Sequence, residues 1–389
     1  MGAFNLKRFS KPEALKRMHP ESLRELLEPY RAYFAGRDLE LPRPGEKEGF
    51  DYGLLARILV APNADTPDEL ANALYIVNEL STPEGQEALE GMRGLAGVFL
   101  ELGPQSTPAD VAARCWVHDP RSVEQAFGET RIHQPRSFEY SQCRVWPPLP
   151  VKWTRESRSG LEEALGDWFV ERRRGRGVRV LSGERDGEVW FVVRHGDPFR
   201  REGSLEEGES KSVLFRPEKY DVLVYDTDSG ELRINARSKS EKELYRWAFG
   251  EHLFGLQGYF GDCGKYTLEP LRENGPSALV CSDVEGLELV VLKELALFWG
   301  GAQGEEEVRR ADDLMATYER RGRGIPKRPR LRRAKFAVKF SDGGRPRVVT
   351  VVAPNRTLLM RDGDGALVEE WLIRRGFAQR REGAVDEAA

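Results

Sequence analysis

Apolar and polar positions follow two different periods along this chain. After Thr66-Pro67 the residues Leu70, Leu74, Val77 and Leu80 recur at the spacing of one helix face. Pro20 to Phe34 carries Leu23, Leu26, Leu27 and Tyr30 in the same way. The pairs Thr66-Pro67, Thr82-Pro83 and Thr107-Pro108 read as helix starts. A threonine oxygen caps free N–H groups, and proline at the first helical position gives up only a donor that has no partner there. Residues 1–127 are therefore expected to form an irregular helical bundle. The unequal spacing of the starts argues against a solenoid.

From Ser159 the period changes. "SGLEEALGDWFVERRRGRG" predicts a helix ending in a basic turn punctuated by glycine. Strands are predicted at Val178 to Leu181, Val189 to Val193, Ser212 to Phe215, Asp221 to Tyr225 and Glu231 to Ala236. The last two form a hairpin across Thr227-Asp228-Ser229-Gly230. "SEKELYRWAFGEHLFG" predicts a helix with Leu244, Trp247, Ala248 and Leu253 on one side. Further strands are predicted at Tyr266 to Leu271, Ala278 to Ser282 and Leu287 to Leu292.

From Pro326, strands at Phe336 to Phe340 and Val348 to Val352 flank the turn Ser341-Asp342-Gly343-Gly344, with a third at Leu358 to Met360. "GALVEEWLIRRGF" predicts a helix with Leu367, Trp371 and Leu372 inward and Gly376 as its cap. Arg380 to Ala389 reads as a frayed tail.

The expected fold class is α+β. It comprises an N-terminal helical bundle (1–127), a Pro-rich linker (128–158), a mostly antiparallel α+β domain (159–325) and a small basic strands-plus-helix module (326–389). The linker carries Pro135, Pro147, Pro148 and Pro150, with Trp146 and Trp153 between and beside them.

Composition narrows the classes of function. The 389 residues are 40% hydrophobic and 32% charged, which excludes a disordered chain. No apolar run approaches the length of about 18 residues that a membrane helix needs. The N-terminus has no apolar signal core and no Ser or Thr at position 6 for myristoylation. Cys115, Cys143, Cys263 and Cys281 are scattered without a C-x-x-C pair, against a zinc ribbon or a disulfide framework. A reducing bacterial cytosol is the expected setting, Arg, Glu, Gly and Leu being abundant.

Three stretches carry candidate chemistry. Arg194-His195-Gly196 ends an apolar strand and resembles a histidine-phosphatase signature, with Arg200 nearby. That signature normally opens a parallel α/β domain, whereas this one sits mid-chain among hairpins, with only His252 downstream. The bland reading is that Arg194 and His195 leave the sheet into a polar loop. "EKYDVLVYDTDSGELRINARS" resembles the PD-(D/E)xK nucleases, with Asp221 or Asp226 as the first acid and Glu231 in the second element. The resemblance implies two carboxylates on Mg²⁺ and a lysine orienting the attacking water. Arg233 stands where that lysine is expected, and its fork suits phosphate better than a nucleophilic water. Asp-Ser-Gly is also an ordinary turn sequence.

The third feature is charge. The net charge is −4, yet Arg320 to Lys339 holds ten basic residues and no acid: Arg320, Arg321, Arg323, Lys327, Arg328, Arg330, Arg332, Arg333, Lys335 and Lys339. A second cluster is Arg172, Arg173, Arg174, Arg176 and Arg179. Glycines and prolines in "RRGRGIPKRPRLRR" predict an extended, exposed backbone, and nucleic-acid phosphate is the commonest partner for such a run. The competing reading pairs these charges in cis with Glu305, Glu306, Glu307, Asp312 and Asp313.

No P-loop occurs, and Asp362-Gly363-Asp364-Gly365 lacks the trailing acid of a calcium loop. Nothing points to base-specific readers.

The expectation is a non-catalytic accessory subunit of a bacterial cytosolic complex, in genome defence or maintenance. It binds nucleic acid without sequence preference, uses no cofactor, and docks a protein through the helical part. The alternatives are a Mg²⁺-dependent nuclease, intact or degenerate, and a structural protein-interaction component.

Overall fold

The computed structural model describes residues 6–43, 49–63, 65–103, 105–130, 137–185, 187–206, 208–358 and 364–379. Pro135, Met360, Asp362, Gly363 and the tail Arg380 to Ala389 lie outside the described residues. The chain forms two compact units, Met1–Ile132 and His133–Ala389.

The first unit is helical: α1 (Pro12–Leu15), α2 (Pro20–Leu27), α3 (Arg31–Ala35), α4 (Tyr52–Val60), α5 (Asp68–Leu80), α6 (Pro83–Glu90), α7 (Ala96–Glu101), α8 (Pro108–His118) and α9 (Pro120–Thr130). The predicted stripes face its core, with Leu23, Leu27, Leu74, Val77 and Leu80 buried. Thr82 caps α6, and Thr107 caps α8 in a capping box with Asp110. Thr66 does not cap α5. Pro67 is extended, so the helix starts one residue late, and Thr66 Oγ1 bonds to Asn63 and to Tyr33 Oη instead.

The second unit runs β1 (Ser137–Cys143), α10 (Arg155–Glu171), β2 (Arg179–Arg185), β3 (Glu188–Gly196), β4 (Arg200–Glu206), β5 (Glu209–Phe215), β6 (Glu218–Asp226), β7 (Glu231–Asn235), α11 (Lys239–Phe254), β8 (Phe260–Asp262) and α12 (Pro270–Glu273). It continues with β9 (Leu287–Gly300), β10 (Glu305–Arg310), α13 (Leu314–Arg320), β11 (Arg330–Phe340), β12 (Arg347–Val352), β13 (Arg356–Leu358) and α14 (Gly365–Arg374).

One sheet of 11 strands has the order β10-β9-β11-β12-β13-β1-β7-β6-β3-β2, with β8 paired to β1. β4 and β5 form a separate two-stranded ribbon. Every described pairing is antiparallel. The fold is α+β, as the pattern predicts.

Two expected boundaries do not separate folded pieces. The stretch read as a linker supplies β1, which pairs with both β13 and β7. Its prolines Pro147, Pro148 and Pro150 follow the strand rather than interrupt it. The boundary at 325/326 runs inside the sheet, because β11 pairs with β9. Tyr266 to Leu271 is no strand: Tyr266 makes an isolated bridge and Pro270 opens α12. Ala278 falls in a short 3-10 turn, Gly275–Leu279.

Helices α10 and α11 cover one face of the sheet. Leu161, Leu165, Phe169, Tyr245, Phe249 and Leu253 pack on Phe191, Val193, Leu223, Tyr225 and Leu232. Trp247 was expected on this side but is 44% exposed. At the other end of the sheet α14 seats fully buried Trp371 against Phe336, its indole N–H donating to the Val280 carbonyl at 3.0 Å. Burial of such a ring contributes roughly 2–3 kcal/mol or more. Among the described residues no helix is long and apolar enough to cross a membrane.

Candidate nucleic-acid interface

Strand alternation decides where the candidate residues go. On β3 the residues Val189, Phe191, Val193 and His195 share the face that α10 and α11 cover. On β6 the same face takes Leu223 and Tyr225, and therefore Asp221. His195 thus remains in its strand and is buried, which corrects the loop reading. Its ring stacks on Phe169 with centroids 4.2 Å apart. Nδ1 donates to the Gly196 carbonyl at 2.9 Å, and Nε2 meets Asp221 Oδ2 at 3.1 Å. Tyr245 Oη donates to the same carboxylate oxygen at 2.7 Å.

Glu241 completes this buried group. Ligand atoms of His195, Asp221 and Glu241 lie within 4.8 Å of one another, the reach of a metal site. Each of them already has a protein partner: Asp221 Oδ2 meets His195 and Tyr245. Glu241 accepts from the Arg174 guanidinium and from the Ser238 backbone in the capping box of α11. Burial alone would raise the Glu241 carboxyl, but these donors outweigh it and hold the group below its ordinary range. A cationic Arg174 in the cluster repels a metal ion. The network fastens the Arg172 to Gly177 turn to the start of α11, and a His195 side chain with no exposed surface cannot attack a phosphate in solution.

The nuclease candidates do not converge. Asp226 and Glu231 line one cleft of about 960 Å³, whereas Asp221 points to the opposite face of the sheet. Asp226 Oδ1 accepts from the Asp228 and Ser229 N–H groups at 2.9 and 3.0 Å, so it builds the turn. Glu231 accepts from Lys265 Nζ at 2.8 Å, and Lys265 also reaches Glu369 at 2.7 Å and lies over the Tyr140 ring. Burial pushes the Glu231 carboxyl up, and Lys265 only partly offsets it. Burial would lower Lys265, but Glu231, Tyr140 and Glu369 hold the ammonium above its ordinary range. This lysine, invisible to the motif, neutralises the acid rather than orienting a water. Arg233 is paired with Glu188.

The basic run divides in two. Its second half is strand, not loop: β11 begins at Arg330. Glu294 of β9 lies directly across from Lys335 on β11 and from Arg310 on β10. It accepts from Arg310 at 2.6 Å, Lys335 at 3.1 Å and Arg333 at 3.2 Å. Arg332 pairs with Glu306, and Lys339 with Glu288. Arg330 lies over the Phe298 ring. Arg332, Arg333 and Lys335 are thus ion-paired in cis, but of the acids expected to answer them only Glu306 does so, and Glu294 is the principal partner.

The first half is different. Arg320, Arg321, Arg323, Lys327 and Arg328 are exposed and have no ion-pair partner among the described residues.

The second cluster also divides. Arg174 is committed to Glu241, and Arg172 lies 3.7 Å from the Trp168 ring centroid. Arg173 and Arg176 are exposed without an ion-pair partner among the described residues. Beside them the sequence reading missed Phe199, Arg216 and Arg237. Phe199 joins β3 to β4 and is 65% exposed. The Arg216 guanidinium sits 4.3 Å from its centroid. No spacing rule links these positions; only the fold brings them together. No protein-family model matches the chain, and no curated protein is similar to it.

Proposed function

We propose that this protein binds nucleic acid through its phosphates, without reading base sequence, as an accessory subunit rather than a catalyst. One observation carries the reading. In a stretch where the strand residues are paired with acids in register, the five cations Arg320, Arg321, Arg323, Lys327 and Arg328 are left exposed without an acid. Five like charges at the end of α13 and on the short loop after it repel one another, and a polyanion relieves that repulsion while releasing counterions. Arg173 and Arg176 add charge of the same kind.

The test is binding of labelled single- and double-stranded DNA and RNA across a salt series. Wild type is compared with a variant in which Arg320, Arg321, Arg323, Lys327 and Arg328 become Gln. Each phosphate contact contributes about 0.9 to the log–log salt slope on duplex DNA, so losing most of the five flattens it by about 3–4. Equal slopes for the two proteins, or negligible binding by both, refute the proposal.

A further inference from the structure

Phe199 is more exposed than Trp146, Trp247 or Trp299, and it borders a concave surface. It lines a pocket of about 460 Å³ together with Arg174, Asp197, Pro198, Arg200, Arg237 and Ser238. The back of the ring is built. Arg216 stacks on it and is held by its Nη1 donating to the Arg173 carbonyl at 2.6 Å. The room for that arginine comes from two glycines. A Cβ at Gly175, which has φ +80°, would meet the Arg216 guanidinium at 2.8 Å, and one at Gly196 would run into the Arg174 carbonyl oxygen and the Arg216 stem.

The floor is fixed as well. Buried Asp197 holds Arg200 at 2.9 Å and Lys219 at 3.4 Å. Burial would raise its carboxyl, but Lys219 and Arg200 keep it below the usual range. With Arg174 answered by Glu241 and Arg200 by Asp197, Arg237 is the lining cation that faces the pocket without an acid. Arg237 is exposed and has no ion-pair partner among the described residues. The site is therefore an exposed ring backed by Arg216, with the Arg237 guanidinium beside it, at a concave surface.

We propose that this pocket takes one nucleotide of a single strand, its base stacked on Phe199 and its phosphate on Arg237. A duplex offers phosphates but no free base face, and an acidic peptide offers charge but no ring. Stacking of a base on an aromatic side chain contributes enough to be read as about a 5- to 150-fold change in Kd. The proposal rests on the nucleic-acid reading above but uses a surface separate from the 320–328 loop.

The experiment measures Kd of the full chain for a short oligothymidylate, the same strand with abasic sites, and a duplex. The proteins compared are wild type, Phe199→Leu and Arg237→Gln. Because Phe199 and Arg237 are exposed, both variants are expected to fold as wild type does, which their melting curves check. The expected result is a loss of about 10-fold or more for the normal strand in Phe199→Leu, with the abasic strand and the duplex unchanged. Arg237→Gln is expected to weaken both single strands. Binding by wild type that Phe199→Leu leaves unchanged overturns this site and leaves the phosphate reading standing; no binding by wild type to any strand overturns both. Competition by poly-glutamate as strong as by the oligonucleotide assigns the pocket to an acidic peptide and overturns it. Competition by a free nucleoside monophosphate at equal nucleotide concentration overturns the assignment to a strand.

Discussion

Replacing Glu294 by Gln keeps the volume of the side chain and removes its charge. The carboxylate side chain is only 5% exposed and accepts hydrogen bonds from Arg310, Arg333 and Lys335. A hydrogen bond to a charged group contributes about 1.5–3 kcal/mol when both partners are buried. The three cations here stay 68%, 34% and 38% exposed, so water recovers much of their solvation when the acid is lost. Each bond is then discounted to below about 1 kcal/mol, and the expected total is about 2 kcal/mol. For a unit of this size that is about 4–8 °C in Tm.

Tryptophan fluorescence reports the right unit, since every tryptophan except Trp116 lies in His133–Ala389. The pH dependence has a definite sign. Burial would raise the Glu294 carboxyl, but Arg310 and Lys335 hold it below the ordinary carboxylate range. Its contribution is therefore fully present above that range and is lost as pH falls through the lower folded value. The gap between wild type and Glu294→Gln is expected to be constant from about pH 6 to 8 and to close in acid. A loss below about 0.5 kcal/mol at pH 7, or a gap that persists unchanged in acid, refutes the argument that this carboxylate answers three cations.

Two further outcomes follow from local geometry. Burial pushes the Glu129 carboxyl up to about 7, so the folded state holds this proton more tightly than the unfolded state does. Stability is then lost as pH rises from the ordinary carboxylate range through about 7, and Glu129→Gln is expected to raise Tm at pH 8 while leaving it unchanged at pH 4. An equal effect at both values contradicts the assignment. Gly230 closes the β6–β7 turn at φ +67°, and a Cβ there would run into Cys143 Sγ and meet Pro148 at 3.0 Å. Gly230→Ala is expected to cost about 2–4 kcal/mol in urea unfolding. Gly177→Ala, with φ +100° but open space around it, bears the strain alone and costs less; equal losses would contradict the packing argument.

Legibility of the fold tracked how far each segment depends on its own pattern. Helix starts at Thr82 and Thr107 and the Thr227 to Gly230 hairpin are local devices, and they lie where the sequence places them. β4 and β10 escaped because they bury little: Arg200 to Glu206 and Glu305 to Arg310 are largely polar and lack an apolar alternation. β1 escaped because the prolines beyond it read as a linker. The nuclease question was more legible than its motif. A turn at Thr227 to Gly230 sets the pairing in which Val222 faces Asn235 and Tyr225 faces Leu232. By that register Asp226 comes beside Glu231, and Asp221, five positions earlier, falls on the other face. Lys265 and Glu369 were out of reach, since only tertiary folding brings them to Glu231.

Charge was the least legible feature, for a specific reason. Ten basic residues in one stretch count alike in the sequence, but the fold sorts them by what stands opposite. Glu294 lies in the middle strand of three, level with Arg310 on one side and Lys335 on the other, so cross-strand attraction fixes both. The bulge between Leu331 and Arg333 lets Arg332 reach Glu306 while Arg333 turns to Glu294. Arg320 ends α13 and the loop beyond it runs to Arg328, and among the described residues no acid pairs with its cations. Its glycines and prolines keep it out of the ladder, and its charges are left to the solvent or to a polyanion. On the proposed reading the polyanion meets the unpaired half of the run, while the ion pairs of the other half hold neighbouring strands together.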